Sequence, residues 1–376
     1  MLVVTTTAET FGTILCGQPQ YLSSQFDVFL SCAEDRHAQN ICKNEKVPLI
    51  SVSMSRGIAP LKDLVSVCVM IQTIRRVKPN IIHSYTPKAG LVAMLAAWLC
   101  RVPVRVHTFT GLVFPSAQGF RRHLLVAVDR LVARLATVVV PESNGVRKDL
   151  ISHGIIRKPH QVIGHGNVAG VDTAFFCSRL AEVSQHAAKL AQQHLRDVRF
   201  AFCYVGRINR DKGFTELMRA LEGLPEDVAL LVVGEVDAAA PPSEEVLSKL
   251  RSDERVRTVG FQQDVRPFIV AADVLVLPSY REGFPNVVLQ ALALERPVIV
   301  TDVSGANEIT LPGENGWIVP VRDAESLRGA MQEAIETNSA TLAEMGRKGR
   351  ERVVARHERS VYLEQLVQFY GALLEK

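Results

Sequence analysis

The side chains with the most chemical scope lie in residues 278–302, PSYREGFPNVVLQALALERPVIVTD. The apolar run Val274-Leu275-Val276-Leu277 leads into a polar turn that carries Arg281, Glu282 and Gly283. Pro285 then opens an apolar helix, and a second apolar run at 297–300 closes the unit. Strand, loop, helix and strand in that order form the βαβ unit of a parallel sheet. The loop falls at the carboxyl end of the first strand, where open α/β sheets bind ligands. The first N–H groups of a helix have no intrahelical acceptor and can hold an anion, and Pro285 suits a first helical turn because its missing N–H is no loss there. Glu282 at the mouth can accept hydrogen bonds from hydroxyls while the amides of Phe284 and Asn286 meet a phosphate. A plain helix-cap role for Glu282 is the competing use.

A second loop has complementary chemistry. Gly206-Arg207-Ile208-Asn209-Arg210-Asp211-Lys212-Gly213 follows an apolar strand and precedes a helix. Arginine offers a planar fork of donors and lysine a point charge, a combination suited to a diphosphate, and the glycines allow close backbone approach. By itself the loop also reads as a turn with exposed charges. It is not a Walker A loop, and no G-x-G-x-x-G follows the first strand, so neither an NTPase nor a dinucleotide enzyme is indicated. The histidines are scattered and no D-x-D occurs, so no metal site and no cofactor is expected. No pair of catalytic carboxylates stands out. The seven cysteines, at positions 16, 32, 42, 68, 100, 177 and 203, contain no C-x-x-C, which fits buried thiols in a reducing compartment.

These loops must be positioned by a chain of 376 residues, long enough for two cores at 47% hydrophobic and 22% charged content. Strands and helices alternate throughout. The first domain, 1–170, shows strands at 2–5, 27–31, 48–52, 79–83, 102–107, 137–141 and 161–164. A polar loop containing Gly12 follows the first strand, and helices are expected at 14–22, 61–78, 89–100 and 120–136. A glycine-broken junction at 164–176 leads into a linker, 171–198. The second domain, 199–358, has strands at 200–205, 228–233, 256–260, 274–277, 297–300 and 316–319. A final helix occupies 359–374 of the terminal segment 359–376. This is a doubly wound α/β architecture. The apolar stretch 89–100 is too short to span a bilayer, which needs roughly 20 residues, and reads as a core helix. The N-terminus lacks the basic and apolar regions of a secretory signal.

Net charge is +4, unevenly spread: residues 1–175 hold 19 Lys/Arg against 10 Asp/Glu, and residues 176–376 hold 24 against 29. The basic half suggests an acidic partner, such as a phosphorylated lipid or an anionic membrane surface, against the plainer reading of a solvated face. Nucleic acid is not expected, because no stacking aromatics or binding motif accompany the charge.

Together these stretches resemble the retaining glycosyltransferases of family 4, over nearly the whole chain. V-G-R-I-N-R-D-K-G resembles that family's diphosphate loop, E-G-F-P-N-V-V-L-Q its E-x7-E motif, and G-N-V-A-G-V-D-T-A-F-F the entry to its interdomain linker. I-L-C-G-Q-P-Q-Y-L, H-S-Y-T-P-K-A-G and H-T-F-T-G-L resemble the subgroup that builds capsule, O-antigen and other lipid-linked glycans. The resemblance implies a GT-B fold: two Rossmann-like domains facing an interdomain cleft, with the C-terminal helix crossing back to the first domain.

It further implies that Arg207 and Lys212 neutralise the donor diphosphate and that Glu282 binds the donor sugar. Backbone at Gly206, Gly283, Phe284, Pro285 and Asn286 would line the donor site, and Gly12 would let the first domain approach it. Two positions depart from the family pattern. Gln290 stands where a second glutamate takes the ribose hydroxyls, and an amide makes a weaker bond there. Thr110 stands where many relatives carry a histidine, and His107, inside the expected strand, reads as a core residue. His83 and Lys88 are candidates for acceptor contact, as are Arg121 and Arg122 together with Thr110.

The implied reaction is retaining transfer from a UDP-sugar to a polyprenyl-diphosphate-linked or other glycan acceptor. The enzyme would work on the cytoplasmic face of the membrane as a peripheral protein. A nucleotide-sugar epimerase and a catalytically silent binding or assembly subunit are the alternatives. The first wants acid/base residues that are not visible, and the second draws only on Thr110 and Gln290.

Overall fold

The computed structural model describes residues 1–34, 38–55, 57 and 59–375. The chain divides into two compact units, Met1–Gly170 with Arg359–Lys376, and Val171–Glu358.

The first unit runs β1 (Leu2–Thr7), α1 (Ala8–Thr13), α2 (Gln18–Leu22), β2 (Phe29–Ala33), α3 (Ala38–Glu45), β3 (Leu49–Ser51), α4 (Pro60–Val77), β4 (Ile81–Ser84), α5 (Pro87–Leu99), β5 (Val104–Phe109), α6 (Gly119–Leu135), β6 (Val138–Pro141) and α7 (Asn144–Ser152). Its six strands are parallel, in the order β3-β2-β1-β4-β5-β6. The helix at 87–99 is a core element, with Ala89, Val92, Ala93, Met94, Ala96 and Ala97 buried.

The second unit runs α8 (Ala181–His194), β7 (Phe200–Val205), α9 (Phe214–Glu222), β8 (Val228–Val233), α10 (Glu244–Ser252), β9 (Val256–Gly260), α11 (Arg266–Ala271), β10 (Val274–Leu277), α12 (Asn286–Ala293), β11 (Val298–Thr301), α13 (Ala306–Ile309), β12 (Gly316–Val319), α14 (Ala324–Glu336) and α15 (Ser339–His357). The strand order is β12-β11-β10-β7-β8-β9, again all parallel. β8, β10 and β11 are buried at every residue, as expected of strands covered by helices on both faces. The last helix, α16 (Arg359–Leu374), belongs to the first unit and buries Tyr362, Leu363, Leu366, Phe369 and Tyr370. Among the described residues no helix is long and apolar enough to cross a membrane.

Two of the local expectations fail outright. Gly12 lies inside α1 rather than in a loop. Residues 161–164 form no strand; the chain makes only an isolated bridge from His160 to Val139, after Pro159 and before the left-handed Gly164 (φ 57°). The helix α7, unforeseen in sequence, is N-capped by the Ser143 side chain, which accepts from the Val146 amide at 3.0 Å. Within residues 171–198, α8 packs on α11 and buries Val183, Ala187 and Leu190.

Candidate functional site

The strand order of the second sheet turns back between β7 and β10, so the loops after these neighbouring strands lead to opposite sides. Such a switch point leaves a crevice at the carboxyl ends of the strands. Both loops singled out in sequence lie there. The loop after β7 starts at Gly206 (φ 147°), forms a 3-10 turn at Arg210–Lys212 and enters α9 through Gly213 (φ 68°). A Cβ at Gly213 would lie 2.0 Å from the Pro278 carbonyl oxygen, so only glycine lets this loop meet the loop after β10. The loop after β8 closes the third side, where a Cβ on Gly234 would lie 2.0 Å from the Gly206 carbonyl oxygen.

Two ion pairs clasp the loops after β7 and β10. Lys212 Nζ donates to Glu282 Oε1 at 2.5 Å, with 22% and 14% of the side chains exposed. Its neighbour Asp211 accepts from Arg281, at 2.9 Å from Nε and 2.8 Å from Nη2. The charges are exchanged: acid then base on one loop, base then acid on the other. The Tyr280 amide donates to the Asp211 carbonyl at 2.8 Å, and the Tyr280 hydroxyl donates to Glu216 Oε2 at 2.5 Å. Burial and then Glu216 raise the Tyr280 pKa, so the phenol stays protonated. The Arg322 guanidinium lies over the Tyr280 ring at 4.8 Å.

Arg207 stands apart from the clasp. Its side chain is 61% exposed and Nη1 reaches Asp237, beyond β8, at 3.2 Å. Its carbonyl accepts from the Tyr204 hydroxyl at 2.8 Å. Burial, reinforced by the charge of Glu282, keeps that phenol protonated.

Pro285 is the N-cap of α12 (φ −72°, ψ 109°), and Asn286 is the first helical residue. The expected place of Pro285 in the first turn is thus one position early, because its extended ψ puts it outside the helix. Phe284 is buried with its ring 5.3 Å from that of His357. A Cβ on Gly305 would lie 2.3 Å from the Gly283 carbonyl oxygen, so Gly283 and Phe284 are wedged in place. Val288, Leu289, Ala291, Leu292 and Ala293 are buried, which leaves Asn286, Val287 and Gln290 as the half-exposed stripe of α12. Lys212 and Glu282 therefore meet at the switch point, with Arg207 on the loop that carries Lys212 and Asn286 opening the helix that follows Glu282.

The candidates in the first unit fare differently. His83 is fully buried in β4; Nδ1 lies 2.5 Å from the Tyr370 hydroxyl, Nε2 lies 2.7 Å from Thr108 Oγ1, and the ring stacks on Tyr85 at 4.2 Å. Burial holds its pKa well below the usual range. An acceptor role for His83 is corrected to a neutral core residue that fastens α16 to β4 and β5. Lys88 is ion-paired with Asp63 of α4 at 2.7 and 2.6 Å.

Gly12 has an ordinary 3.6 Å space toward Ile41 and no left-handed φ, so nothing in its place requires glycine. Thr110, just past β5, donates to the Tyr85 carbonyl at 2.9 Å. Arg121 and Arg122 are exposed on α6, with Arg122 Nη2 3.0 Å from His153 Nε2. His107 is a core residue: Ser84 Oγ lies 2.8 Å from its Nδ1, and burial lowers its pKa to about 3.

Sequence reasoning missed the functions of Asp211, Asp237, Tyr280 and Arg281. A carboxylate beside each basic or acidic loop residue was the available signal, but pairing across 70 positions is not a local pattern. Among the described residues no group of three or more His, Cys, Asp or Glu is placed to hold a metal ion.

Residues 20–166 match the model of the glycosyl transferase 4-like domain, and residues 199–337 that of glycosyl transferases group 1. The capsular polysaccharide biosynthesis glycosyltransferase CapM of Staphylococcus aureus is 30% identical over 330 residues, covering 86% of this chain and 85% of that one. The UDP-Gal:alpha-D-GlcNAc-diphosphoundecaprenol alpha-1,3-galactosyltransferase of Escherichia coli is 24% identical over 337 residues, covering 88% and 85%. Anabaena Alr3699/HepE, solved in complex with UDP-glucose, superposes with a TM-score of 0.82 over 99% of this chain and 100% of that one. At 19% identity this last likeness establishes the fold, GT-B.

Proposed function

The chain belongs to the group 1 glycosyltransferases of the GT-B fold, with a 4-like N-terminal domain, and from that membership we propose that it transfers a sugar from a UDP-sugar to a lipid-linked saccharide, with retention, in cell-surface polysaccharide biosynthesis. The observation that carries the reading is the Lys212–Glu282 pair at the sheet switch point, beside Arg207 and the N-terminus of α12.

In this reading Arg207 and Lys212 take the diphosphate, and the first free amides of α12 add donors to it. Glu282, released from Lys212, accepts from sugar hydroxyls. Gln290, on the exposed stripe of α12, meets the ribose with an amide. The bond from the anomeric carbon to the diphosphate oxygen breaks, and the acceptor oxygen bonds to that carbon on the same face. The acceptor proton passes to the departing diphosphate. No side-chain nucleophile is assigned, and catalysis rests on positioning and on stabilising the leaving charge. The reading gives the diphosphate charge to these cations, without a metal or a cofactor.

UDP as the base is favoured by the UDP-Gal named for the Escherichia coli relative and by the UDP-glucose held by the Anabaena neighbour. The diphosphoundecaprenol in that relative's name, with the capsular relative, favours a lipid-linked acceptor in polysaccharide assembly. The basic half of the chain would hold it, as a peripheral protein, on the cytoplasmic face of an anionic membrane. Thr110, Arg121 and Arg122 remain the proposed acceptor-side contacts.

The test is transfer of radiolabelled sugar from a panel of nucleotide sugars into a lipid extract. Transfer from a UDP-sugar, lost in Arg207→Ala and in Lys212→Ala with the fold intact, is expected. Full activity in both variants would sink the donor assignment.

A further inference from the structure

A cavity of about 420 Å³ opens in the first unit. It lies between the C-terminal half of α6, the start of β6 and the segment after α7, and its charged lining consists of Arg130, Arg134, Arg157 and Lys158. The location is the strand-start end of the sheet. Ala136 and Thr137 lead directly into β6, whereas Thr110 follows the far end of β5.

The local sequence explains why four cations converge. Arg130 and Arg134 are four residues apart on α6 and share a face. α7 ends in a Schellman motif: the Gly154 amide donates to the Ile151 carbonyl at 2.9 Å and the Ile155 amide to the Leu150 carbonyl at 2.9 Å. Gly154 takes the left-handed conformation this requires, at φ 61°. The turn drives Ile155 and Ile156 into the core and brings Arg157 and Lys158 back toward α6. A Cβ at Gly154 would lie 3.7 Å from Arg157 Nη2 and 3.8 Å from Arg130 Nη2, so two guanidinium groups converge over one glycine.

This charge is uncompensated. Among the described residues no carboxylate is ion-paired with any of the four, and no acidic side chain lines the cavity. Backbone carbonyls take part of the donor capacity: Arg130 Nη2 donates to the His153 carbonyl at 2.7 Å, and Lys158 Nζ to the carbonyls of Ala136, at 2.7 Å, and Arg134. These contacts hold Arg130 and Lys158 in place and leave most of the guanidinium donors open. The Lys158 pKa is lowered by burial and by the charges of Arg105 and Arg134, which registers the crowding of like charge. Like charges at a four-residue spacing cost helix stability unless an anion sits between them.

We propose that this cavity is a binding site for a phosphate-bearing anion, separate from the donor crevice of the second unit. Clustered arginines match the geometry of phosphate oxygens, and the cavity volume accommodates a phosphomonoester or a diphosphate. The phosphate can come from a lipid headgroup or from a soluble phosphorylated metabolite.

The test uses the full chain carrying Arg207→Ala and Lys212→Met, so that the crevice of the second unit has lost the two cations assigned to the diphosphate. Calorimetry with pyrophosphate at low salt is expected to show one remaining site. Adding Arg130→Gln and Arg157→Gln is expected to weaken that binding at least about tenfold, since each charge-assisted contact is worth that much. Arg157→Glu, a change outside any helix, is expected to weaken it further, and thermal unfolding confirms that each variant is folded. Pyrophosphate binding that is absent from the starting chain, or unchanged by the pocket substitutions, overturns the proposal.

Sedimentation with phosphatidylcholine vesicles, with and without phosphatidic acid, identifies the source. Loss of phosphatidic-acid-dependent binding in the pocket variants assigns a lipid headgroup. Vesicle binding unchanged by the substitutions, alongside lost pyrophosphate binding, assigns a soluble phosphate.

Discussion

Replacing Lys212 tests the donor crevice through its partner. In Lys212→Met the aliphatic stem is largely retained and the ammonium is lost. Glu282, 14% exposed, then faces the crevice as an uncompensated carboxylate. Two losses follow for a diphosphate ligand. One charge-assisted hydrogen bond disappears, worth about 1.5–3 kcal/mol. The carboxylate also now repels the ligand. An anion that the ammonium would have touched lies roughly 5–6 Å from Glu282, and two unit charges at that distance repel by about 1–3 kcal/mol for an effective dielectric between 80 and 20. UDP affinity should therefore fall by more than about 100-fold. The double variant Lys212→Met/Glu282→Gln removes the repulsion but not the lost bond, and should recover affinity by at least about fivefold and by up to about 150-fold. It should not recover sugar transfer, because Glu282 is assigned to the sugar hydroxyls. Calorimetry with UDP measures the first expectation, and transfer assays the second. A double variant that binds UDP no better than Lys212→Met would show that the pair is not felt by the ligand, and the crevice would lose its central assignment.

Other consequences are direct. Gly213→Ala puts a Cβ 2.0 Å from the Pro278 carbonyl at a left-handed φ, and should cost about 2–4 kcal/mol in the second unit, read from the fluorescence of the buried Trp317 during denaturation. A cost under about 0.5 kcal/mol would mean that the two loops are not in contact. Gln290→Glu should tighten UDP by about three- to tenfold, since a charged acceptor roughly doubles such a bond; unchanged affinity would remove the ribose from this position. His83 and His107 are neutral in the fold, with pKa values below that of the unfolded chain, so the unfolded state binds more protons as pH falls below about 6.5. Stability is then present above pH 6.5 and is lost toward pH 3, by up to about 2.7 kcal/mol per pH unit for the two groups. Denaturant midpoints at pH 7 and pH 5 should fall together with a slope that His107→Gln roughly halves, and a slope unaffected by that change would contradict the burial argument.

The degree to which the sequence was legible differs between the units for physical reasons. β7, β8 and β10 were read to the residue, because these central parallel strands bury both faces and show as unbroken apolar runs bounded by turns. α1 was not, because its six residues, AETFGT, have neither a side-chain cap nor a full amphipathic repeat. His83 and Lys88 flank a motif-like loop, yet their roles are decided by Tyr370, 287 positions away, and Asp63, 25 positions away. No window of sequence carries those distances. The two loops at the switch point were legible where single residue types constrain chemistry: two glycines, two cations and one carboxylate. What was hidden is the exchange of charges between Asp211-Lys212 and Arg281-Glu282, which is a property of strand order and not of either loop.

That exchange sets how each anion site responds to salt. Arg207–Asp237, Lys212–Glu282 and Arg281–Asp211 sum to zero charge, so a diphosphate gains by taking partners from carboxylates rather than by entering a positive field. Short, partly buried contacts of this kind are weakly screened, while exposed charges farther apart than the Debye length of about 10 Å at 0.1 M are strongly screened. The cavity of the first unit is the opposite case, with four cations and no lining carboxylate. Between roughly 50 and 300 mM salt, UDP affinity for the crevice should fall by less than about threefold, and pyrophosphate affinity for the cavity by more than about tenfold. Equal salt slopes at the two sites would show that the cavity charge is neutralised in solution. A steep slope for UDP would show that the clasp opens before the ligand arrives, leaving Lys212 as a free charge and not as one half of a preorganised pair.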